Sequence, residues 1–133
     1  MFIARPSSVG SNLRRKDPSA EELAKLNEYH SASSVYSQLG RLRAATADTP
    51  PVSLIISPYF PYPSEDAAFF EELSLKNRKL KLVILDYFSA LTAKDLKKKG
   101  ELKVKEELLQ LLNKELVMGS VSALYFDEYI ILD

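Results

Sequence analysis

The chain has 133 residues, 46% of them hydrophobic and 27% charged, which is the composition of one globular domain with an ordinary core. Its 18 basic and 18 acidic residues cancel, and this balance argues against a nucleic-acid-binding protein, which normally carries a basic excess. The sequence contains no cysteine, so disulfides, thiol catalysis and cysteine-bound zinc are excluded.

The distribution of apolar residues indicates whether the chain contains a membrane helix or a signal peptide. No run of 18 or more apolar residues occurs, so the sequence predicts no transmembrane helix within the chain. The apolar stub at residues 1–4 is too short for a signal peptide. Two interpretations stay open: the protein is cytosolic, or a membrane helix that belongs just before or within residues 1–4 has been removed.

The N-terminal segment differs in composition from the rest of the chain. It is rich in Ser, Pro, Gly and Arg and has no apolar period, so we expect residues 1–18 to be a flexible lead-in. The basic cluster Arg14-Arg15-Lys16 is interpreted as part of a solvated linker, since three charges fall short of a functional patch. Residues 19–133 are expected to form a single domain.

A capping box predicts the first helix. Ser19 is the N-cap and Glu22, three positions on, is its partner, and the helix is expected to end near His30. His30 is the one histidine of the sequence, and no second ligand or nucleophile accompanies it. We therefore interpret it as a surface residue near a helix end.

Two strands and a turn follow this helix. Residues 36–44 alternate apolar and polar side chains, as a half-buried strand does, and residues 52–57 indicate a more buried strand. Residues 48–51 form the turn, so an antiparallel hairpin is predicted. Residues 58–63 contain three prolines, which should end the second strand. The three aromatic residues of this stretch either form an exposed recognition ridge or pack under the next helix.

The middle of the chain has helical periodicity. Residues 66–90 are expected to form one long helix, irregular around Asn77, whose second half is the central core helix. A second capping signature, Thr92 with Asp95, begins a short helical turn that Gly100 ends.

The C-terminal forty residues contain a helix and a strand. Apolar residues recur on one face of a helix that is expected to end at Met118, before Gly119. Residues 121–132 then form a strand that is apolar on both faces, which is typical of the middle of a sheet or of a subunit contact. Asp127 and Glu128 must lie on opposite faces of this strand, so a salt bridge to a lysine or arginine is expected.

The order of these elements predicts the fold class. One helix, two strands, two or three helices and a last strand suit an α+β domain. We expect a small antiparallel sheet of three or four strands packed against two to four helices.

No pattern in the sequence indicates catalysis. The four glycines are isolated, so no phosphate-binding loop is predicted. The carboxylate pairs are adjacent in sequence, and adjacent positions do not face each other on a helix or a strand. The sequence predicts no catalytic, cofactor-binding or metal-binding residues and favours a protein that is not an enzyme.

The C-terminal part of the chain resembles the periplasmic domain of the FliL family, the flagellar basal-body-associated proteins. The resemblance is carried by Leu85-Asp86-Tyr87-Phe88-Ser89, the turn Leu91–Leu96, the helix Leu102–Asn113 and the closing strand Val121–Ile131. Residues 1–34 carry no match, and the stretch of prolines and aromatics at residues 58–63 is heavier than in the family pattern.

This resemblance implies a stomatin-like (SPFH-like) fold and a mechanical function. It implies an inner-membrane protein, anchored by a helix absent from this chain, with the domain in the periplasm. Such a domain would assemble as a homo-oligomeric ring around flagellar stator proteins of the MotA/MotB type and support torque and motility. No cofactor and no nucleic acid are implied.

A candidate interface is expected at the hairpin edge and on the closing strand, because unpaired strand edges and excess apolar area favour association. Its residues are Tyr59, Phe60, Tyr62, Tyr125, Asp127 and Tyr129. Replacing Tyr125 or Tyr129 by Glu would weaken assembly if these side chains are exposed, and would unfold the domain if they are core residues.

Two other functions stay open. One is a stomatin-like membrane scaffold that is not tied to flagella. The other is a small intracellular ligand-binding module or enzyme, which would require a protein that begins at Met1 and a pocket lined by polar groups.

Overall fold

The computed structural model describes residues 17–20 and 33–133. The predictions for most of the lead-in and for the helix that ends near His30 lie outside the described residues. The strands are β1 (Ser33–Tyr36), β2 (Leu42–Ala45), β3 (Ser53–Pro63) and β4 (Tyr125–Leu132). The helices are α1 (Ala67–Leu75), α2 (Asn77–Ser89), α3 (Ala93–Lys99) and α4 (Glu101–Lys114). The predicted α+β class is confirmed.

The strand β3 is the centre of an antiparallel sheet and pairs with each of the other three strands. Both β2 and β4 pair with residues 53–56, so they lie on opposite edges of β3, and β1 pairs with residues 60–63. The predicted hairpin is confirmed in β2 and β3.

The prediction of one strand over residues 36–44 is wrong. The chain forms β1 and β2 with a turn between them, closed by a 3.1 Å hydrogen bond from the Gly40 N–H to the Ser37 carbonyl. Gly40 has a φ of +73°, a conformation that residues with a Cβ rarely adopt. A glycine at this point therefore interrupts the alternating pattern.

The prediction that the prolines of residues 58–63 end the second strand is wrong, because β3 continues to Pro63. Pro58 lies beside an irregularity in the pairing of β3 with β4. Beyond Tyr59, β3 pairs only with β1 among the described strands, so it is an edge strand there. Proline is tolerated at such irregularities and on edges, because no central ladder bond requires its missing N–H.

The predicted helix over residues 66–90 is two helices, α1 and α2, with the break one residue before Asn77. At the break, the Lys76 N–H still reaches the Glu72 carbonyl at 2.9 Å. The Asn77 side chain turns to the sheet and donates to the Tyr36 hydroxyl at 2.7 Å and to the Gln38 carbonyl at 3.1 Å. These contacts connect the helix junction to the end of β1.

Both turn signals around α3 are confirmed. The Thr92 hydroxyl accepts from the Asp95 N–H at 3.1 Å, and the Asp95 carboxylate accepts from the Thr92 N–H at 3.2 Å. Gly100 separates α3 from α4 with a φ of +82°.

The last helix and the last strand are shorter than predicted. α4 ends at Lys114, not at Met118, and β4 begins at Tyr125, not at residue 121. The Asn113 side chain closes the loop between them, because its amide nitrogen donates to the Val121 carbonyl at 2.9 Å and its oxygen accepts from the Val121 N–H at 2.7 Å. The chain can therefore leave the helix early.

The core lies between the helices and one face of the sheet. Alternate residues of β3 point toward it, and these are Leu54, Ile56 and Phe60. The helices contribute buried residues at helical spacing, namely Phe69, Leu73, Leu80, Ile84, Phe88, Val104, Leu108 and Leu112. The central helix α2 is not buried on all sides, since Leu82 is 49% exposed.

Candidate functional site

The face of the sheet that points away from the core helices is the candidate interaction surface, and we call it the outer face. Directly opposite residues of paired strands point to the same face. Arg43 lies opposite Ile55, and Ile55 lies opposite Ile130. Ile130 and Leu132 are 42% and 50% exposed. The outer face of β4 therefore presents apolar side chains.

A pair of stacked tyrosines lies at the other end of this face. The rings of Tyr59 and Tyr125 are 5.5 Å apart between centroids, with planes inclined by 22°. Tyr59 is buried and Tyr125 is half-buried. The two rings form a rigid aromatic support where β4 begins.

A bulge in β4 places two acidic residues beside this pair. Phe126 lies opposite Pro58 and Tyr129 lies opposite Ile56, so Asp127 and Glu128 together face the one intervening residue of β3. The extra residue changes the alternation of β4, so that Phe126 and Tyr129 both point to the core face. Simple alternation, from which Asp127 and Glu128 were expected on opposite faces of the strand, therefore does not hold at the bulge.

The two carboxylates of the bulge have different partners. Glu128 Oε1 accepts from Arg41 Nε at 2.8 Å and from Ser57 Oγ at 3.0 Å, which is the expected pairing with an arginine. Asp127 is exposed, and no hydrogen bond or ion pair of its carboxylate occurs in the described part of the chain. The bulge therefore carries one neutralised acid and one unneutralised acid.

A cleft of about 210 Å³ opens next to Asp127. It lies between the turn that joins β1 to β2, the middle of β3 and the described N-terminal residues. The residues that line it are Ala20, Ser37, Gly40, Arg41, Ser57, Pro58, Tyr59 and Asp127.

The N-terminal segment reaches this region through Asp17. Its carboxylate accepts from the Lys105 ammonium at 2.8 Å and from the Phe126 N–H at 3.0 Å. Lys105 also lies 3.7 Å from Glu101 and 5.9 Å from the centroid of the Phe126 ring. Lys105 is 13% exposed, so this ion pair is largely shielded from solvent, and Asp17 links the segment to α4 and β4.

The hydroxyl of Tyr129 lies in an apolar environment near this cluster. Burial, with a smaller effect from the negative charge of Glu101, raises the pKa of Tyr129 to about 12. No hydrogen-bond partner of this hydroxyl occurs among the described residues.

The structure brings together three of the six residues predicted for the interface and separates the other three. Tyr59 and Asp127 line the cleft, and Tyr125 stacks on Tyr59. The other three point toward the core: the Phe60 ring stacks 5.3 Å from Tyr36, the Tyr62 ring 5.8 Å from Phe70, and the Tyr129 ring 5.1 Å from Phe126.

Sequence reasoning did not identify Arg41, Ser57 or Ile130 as members of this surface. The sequence contains one indication of the bulge, namely two adjacent acidic residues inside an apolar strand. Both can face solvent only if the strand has an extra residue. The partners Arg41 and Ser57 are 87 and 71 residues away from Glu128 in sequence, so no local pattern reveals them.

The residues that the structure describes contain neither a metal site nor a membrane-spanning helix. No group of three or more His, Asp or Glu side chains among them could hold a metal ion. No helix in the same residues is both long and apolar enough to cross a bilayer.

The fold and this surface define the chain as a small α+β domain with a mixed apolar and charged sheet face. The chain belongs to the FliL family, since the family model of the flagellar basal body-associated protein FliL matches residues 53–131. That match extends from the start of β3 almost to the end of β4, and the resemblance noted in the sequence is confirmed.

The chain is similar to the flagellar protein FliL of Treponema pallidum (strain Nichols). The two are 31% identical over 98 residues, which are 73% of this chain and 54% of that protein. The chain therefore spans about half the length of this relative.

Proposed function

We propose that this protein is a non-enzymatic component of the flagellar basal body that assembles around the motor stator and supports torque generation. The observation that carries the proposal is the family match over residues 53–131, which includes the central strand, all four described helices and β4. The part of the chain that matches is therefore most of the packed domain, from β3 onward, without β1 and β2.

The proposed location is the periplasmic side of the inner membrane. Attachment would come from a membrane helix that is not among the described residues. The similar Treponema protein is longer than this chain, which leaves room in such proteins for a segment of that kind. The proposed partners are stator proteins of the MotA/MotB type and further copies of this chain.

The outer face of β4 is the surface we propose for contacts between copies. Ile130 and Leu132 expose apolar side chains there, and among the described strands β4 pairs with β3 alone. An unpaired edge beside exposed apolar residues is a common site of strand addition or face packing. A ring of stomatin-like domains would bury this area.

The proposed mechanism needs interfaces and no reactive groups. A ring that binds the extended, active stator more tightly than the inactive one would shift the population toward the active state. The shift is limited by the difference between the two binding free energies, so the ring acts as a brace.

Imaging of the full-length protein in its native cell tests this proposal. A fluorescent fusion should form foci at flagellar bases, and the foci should fade when the stator genes are deleted. Deletion of this gene should leave flagella assembled while swimming under load weakens. A diffuse membrane signal would favour a stomatin-like scaffold without a flagellar role, and a cytosolic signal would contradict the proposal.

A further inference from the structure

The cleft beside the β4 bulge is lined by charged side chains, and the proposed scaffold function gives them no role. Among the described residues that line it, two are charged, Arg41 and Asp127. The Arg41 guanidinium is already paired with Glu128 at 2.8 Å. Asp127 is therefore the charged lining residue that has no charged partner in the described part of the chain.

The size of the cleft limits what can enter it. Its volume of about 210 Å³ is below the roughly 300–1,000 Å³ of sites for drug-sized ligands. It is also well above the roughly 30 Å³ that one water occupies in the liquid. One long side chain of another molecule suits this space better than a cofactor or an isolated ion.

The walls of the cleft are rigid on the side of the sheet. Tyr59 is held by its stack on Tyr125, and Gly40 leaves the opposite wall without a side chain. Asp127 stands at the mouth, exposed to solvent. A cationic group on a long aliphatic stem could reach the carboxylate while the stem lies along the walls.

We propose that this cleft binds a lysine or arginine side chain of another protein. The cationic head pairs with the Asp127 carboxylate, and the aliphatic stem lies between Pro58 and the Gly40 turn. The charge of Asp127 complements such a head group, and the cleft has the size of one long side chain. This binding depends on the cleft and not on ring assembly, so the scaffold function and this inference can fail separately.

Peptide titration followed by amide NMR tests the inference on the full chain. The probe is a capped Gly-Ser-Arg-Ser-Gly peptide, and its control is the same peptide with citrulline, which has the shape of arginine without the charge. The arginine peptide should shift the amide signals of Gly40, Ser57, Tyr59 and Asp127 in a saturable way. The citrulline peptide should leave them nearly unchanged.

Three variants are expected to weaken, strengthen and leave unchanged the affinity for the arginine peptide. Asp127→Asn should weaken binding about two- to fivefold, the range of an exposed ion pair. Arg41→Gln should strengthen binding, because it removes the cation that competes for the same region. Asp86→Asn is the matched control, an exposed aspartate on α2, and it should not change the affinity.

Several outcomes would overturn the inference. Equal shifts with the citrulline peptide would show that charge does not drive binding. An unchanged affinity of Asp127→Asn would show that Asp127 does not bind the probe. Weaker binding by Arg41→Gln would mean that the arginine and not the aspartate recognises the probe. Shifts at the same amides on concentrating the protein alone would make the occupant a second copy of this chain.

Discussion

Glu72 shows what a single buried carboxylate does in this domain. Its oxygens accept from the Lys76 ammonium at 2.7 Å, the Val117 N–H at 2.7 Å and the Met118 N–H at 2.8 Å. The same ammonium donates to the Glu115 carbonyl at 2.6 Å. The side chain thus fixes the loop after α4 to the end of α1.

Replacing this carboxylate should destabilise the fold. Glu72→Gln keeps the size but leaves at least one of these donors poorly paired, so we expect the free energy of unfolding to fall by about 1–3 kcal/mol. Urea denaturation at neutral pH measures the change. Glu71→Gln, at the exposed neighbouring position, is the control and should change stability little.

The contribution of Glu72 should also depend on pH. Burial alone would raise the pKa of this carboxyl, but the bonds from Lys76, Met118 and Val117 outweigh burial and hold it below its usual value. A lowered pKa in the folded state stabilises the protein above the unfolded pKa of about 4.3. This stabilisation is lost as the pH falls through the folded pKa. Wild type and Glu72→Gln should therefore converge in stability in acid, and a constant difference would contradict the assignment.

For Tyr129, in contrast to Glu72, we expect that removal of the polar group does not destabilise the fold. Tyr129→Phe removes a buried hydroxyl that has no partner in the described structure, so stability at neutral pH should stay within about 1 kcal/mol or rise. The raised pKa, about 12 against 10.0, means that the wild type loses stability as the pH rises through this range. Tyr129→Phe should lose less, and Tyr125→Phe is the control. Denaturation at pH 9 and pH 11.5 separates the two.

At the scale of elements, Gly100 decides how α3 meets α4. Its φ of +82° and ψ of 161° belong to a region that is nearly restricted to glycine, although no atom would collide with an added Cβ. Gly100→Ala should cost about 1–3 kcal/mol through backbone strain alone. Thermal unfolding measures the loss, with Lys98→Ala, an exposed position two residues earlier, as the control. An unchanged melting temperature would show that the junction can adopt another conformation.

The β4 strand shows how a local irregularity changes a surface. Alternation alone predicts that residues of one parity share a face along residues 121–132. The bulge at Asp127 and Glu128 reverses that parity, so Tyr129 points to the core and Ile130 points outward. A strand of the same composition without the bulge would expose different side chains.

At the scale of the whole molecule, the proposed contact between copies makes a direct prediction. Ile130→Glu should weaken self-association without unfolding the domain, because Ile130 is already 42% exposed. Sedimentation velocity measures the association, and circular dichroism confirms the fold. Leu102→Glu, on the more exposed start of α4, is the control and should associate like wild type. Equal association of all three proteins would exclude the outer face of β4 as the contact.

The structure also distinguishes the two tyrosines proposed for the interface. The Tyr129 ring stacks on Phe126 and lies 6.3 Å from Phe88 in the core, so a glutamate there should unfold the domain. Tyr125 is half-buried against Tyr59 on the outer face, so the effect of Tyr125→Glu on assembly stays a prediction.

The α+β class, the β2–β3 hairpin, the capping box of α3 and the glycine between α3 and α4 could be predicted from the sequence. These features depend on residues close in the chain, where periodicity and capping chemistry act. The sequence also carried the resemblance to the FliL family, because that resemblance rests on the order of such local signals.

The contacts at the cleft and at the helix junctions could not be predicted from the sequence, because they depend on the tertiary structure. Asp17 contacts Lys105, and Glu128 contacts Arg41, across 88 and 87 residues of chain. Such pairs depend on how the sheet and helices pack, and no local periodicity encodes them. The break before Asn77 has the same cause, since the Asn77 side chain binds Tyr36 and Gln38, about forty residues earlier in the chain. The early end of α4 depends instead on the nearby contact of Asn113 with Val121, and β3 continues through its prolines because they lie at an irregularity or on an edge.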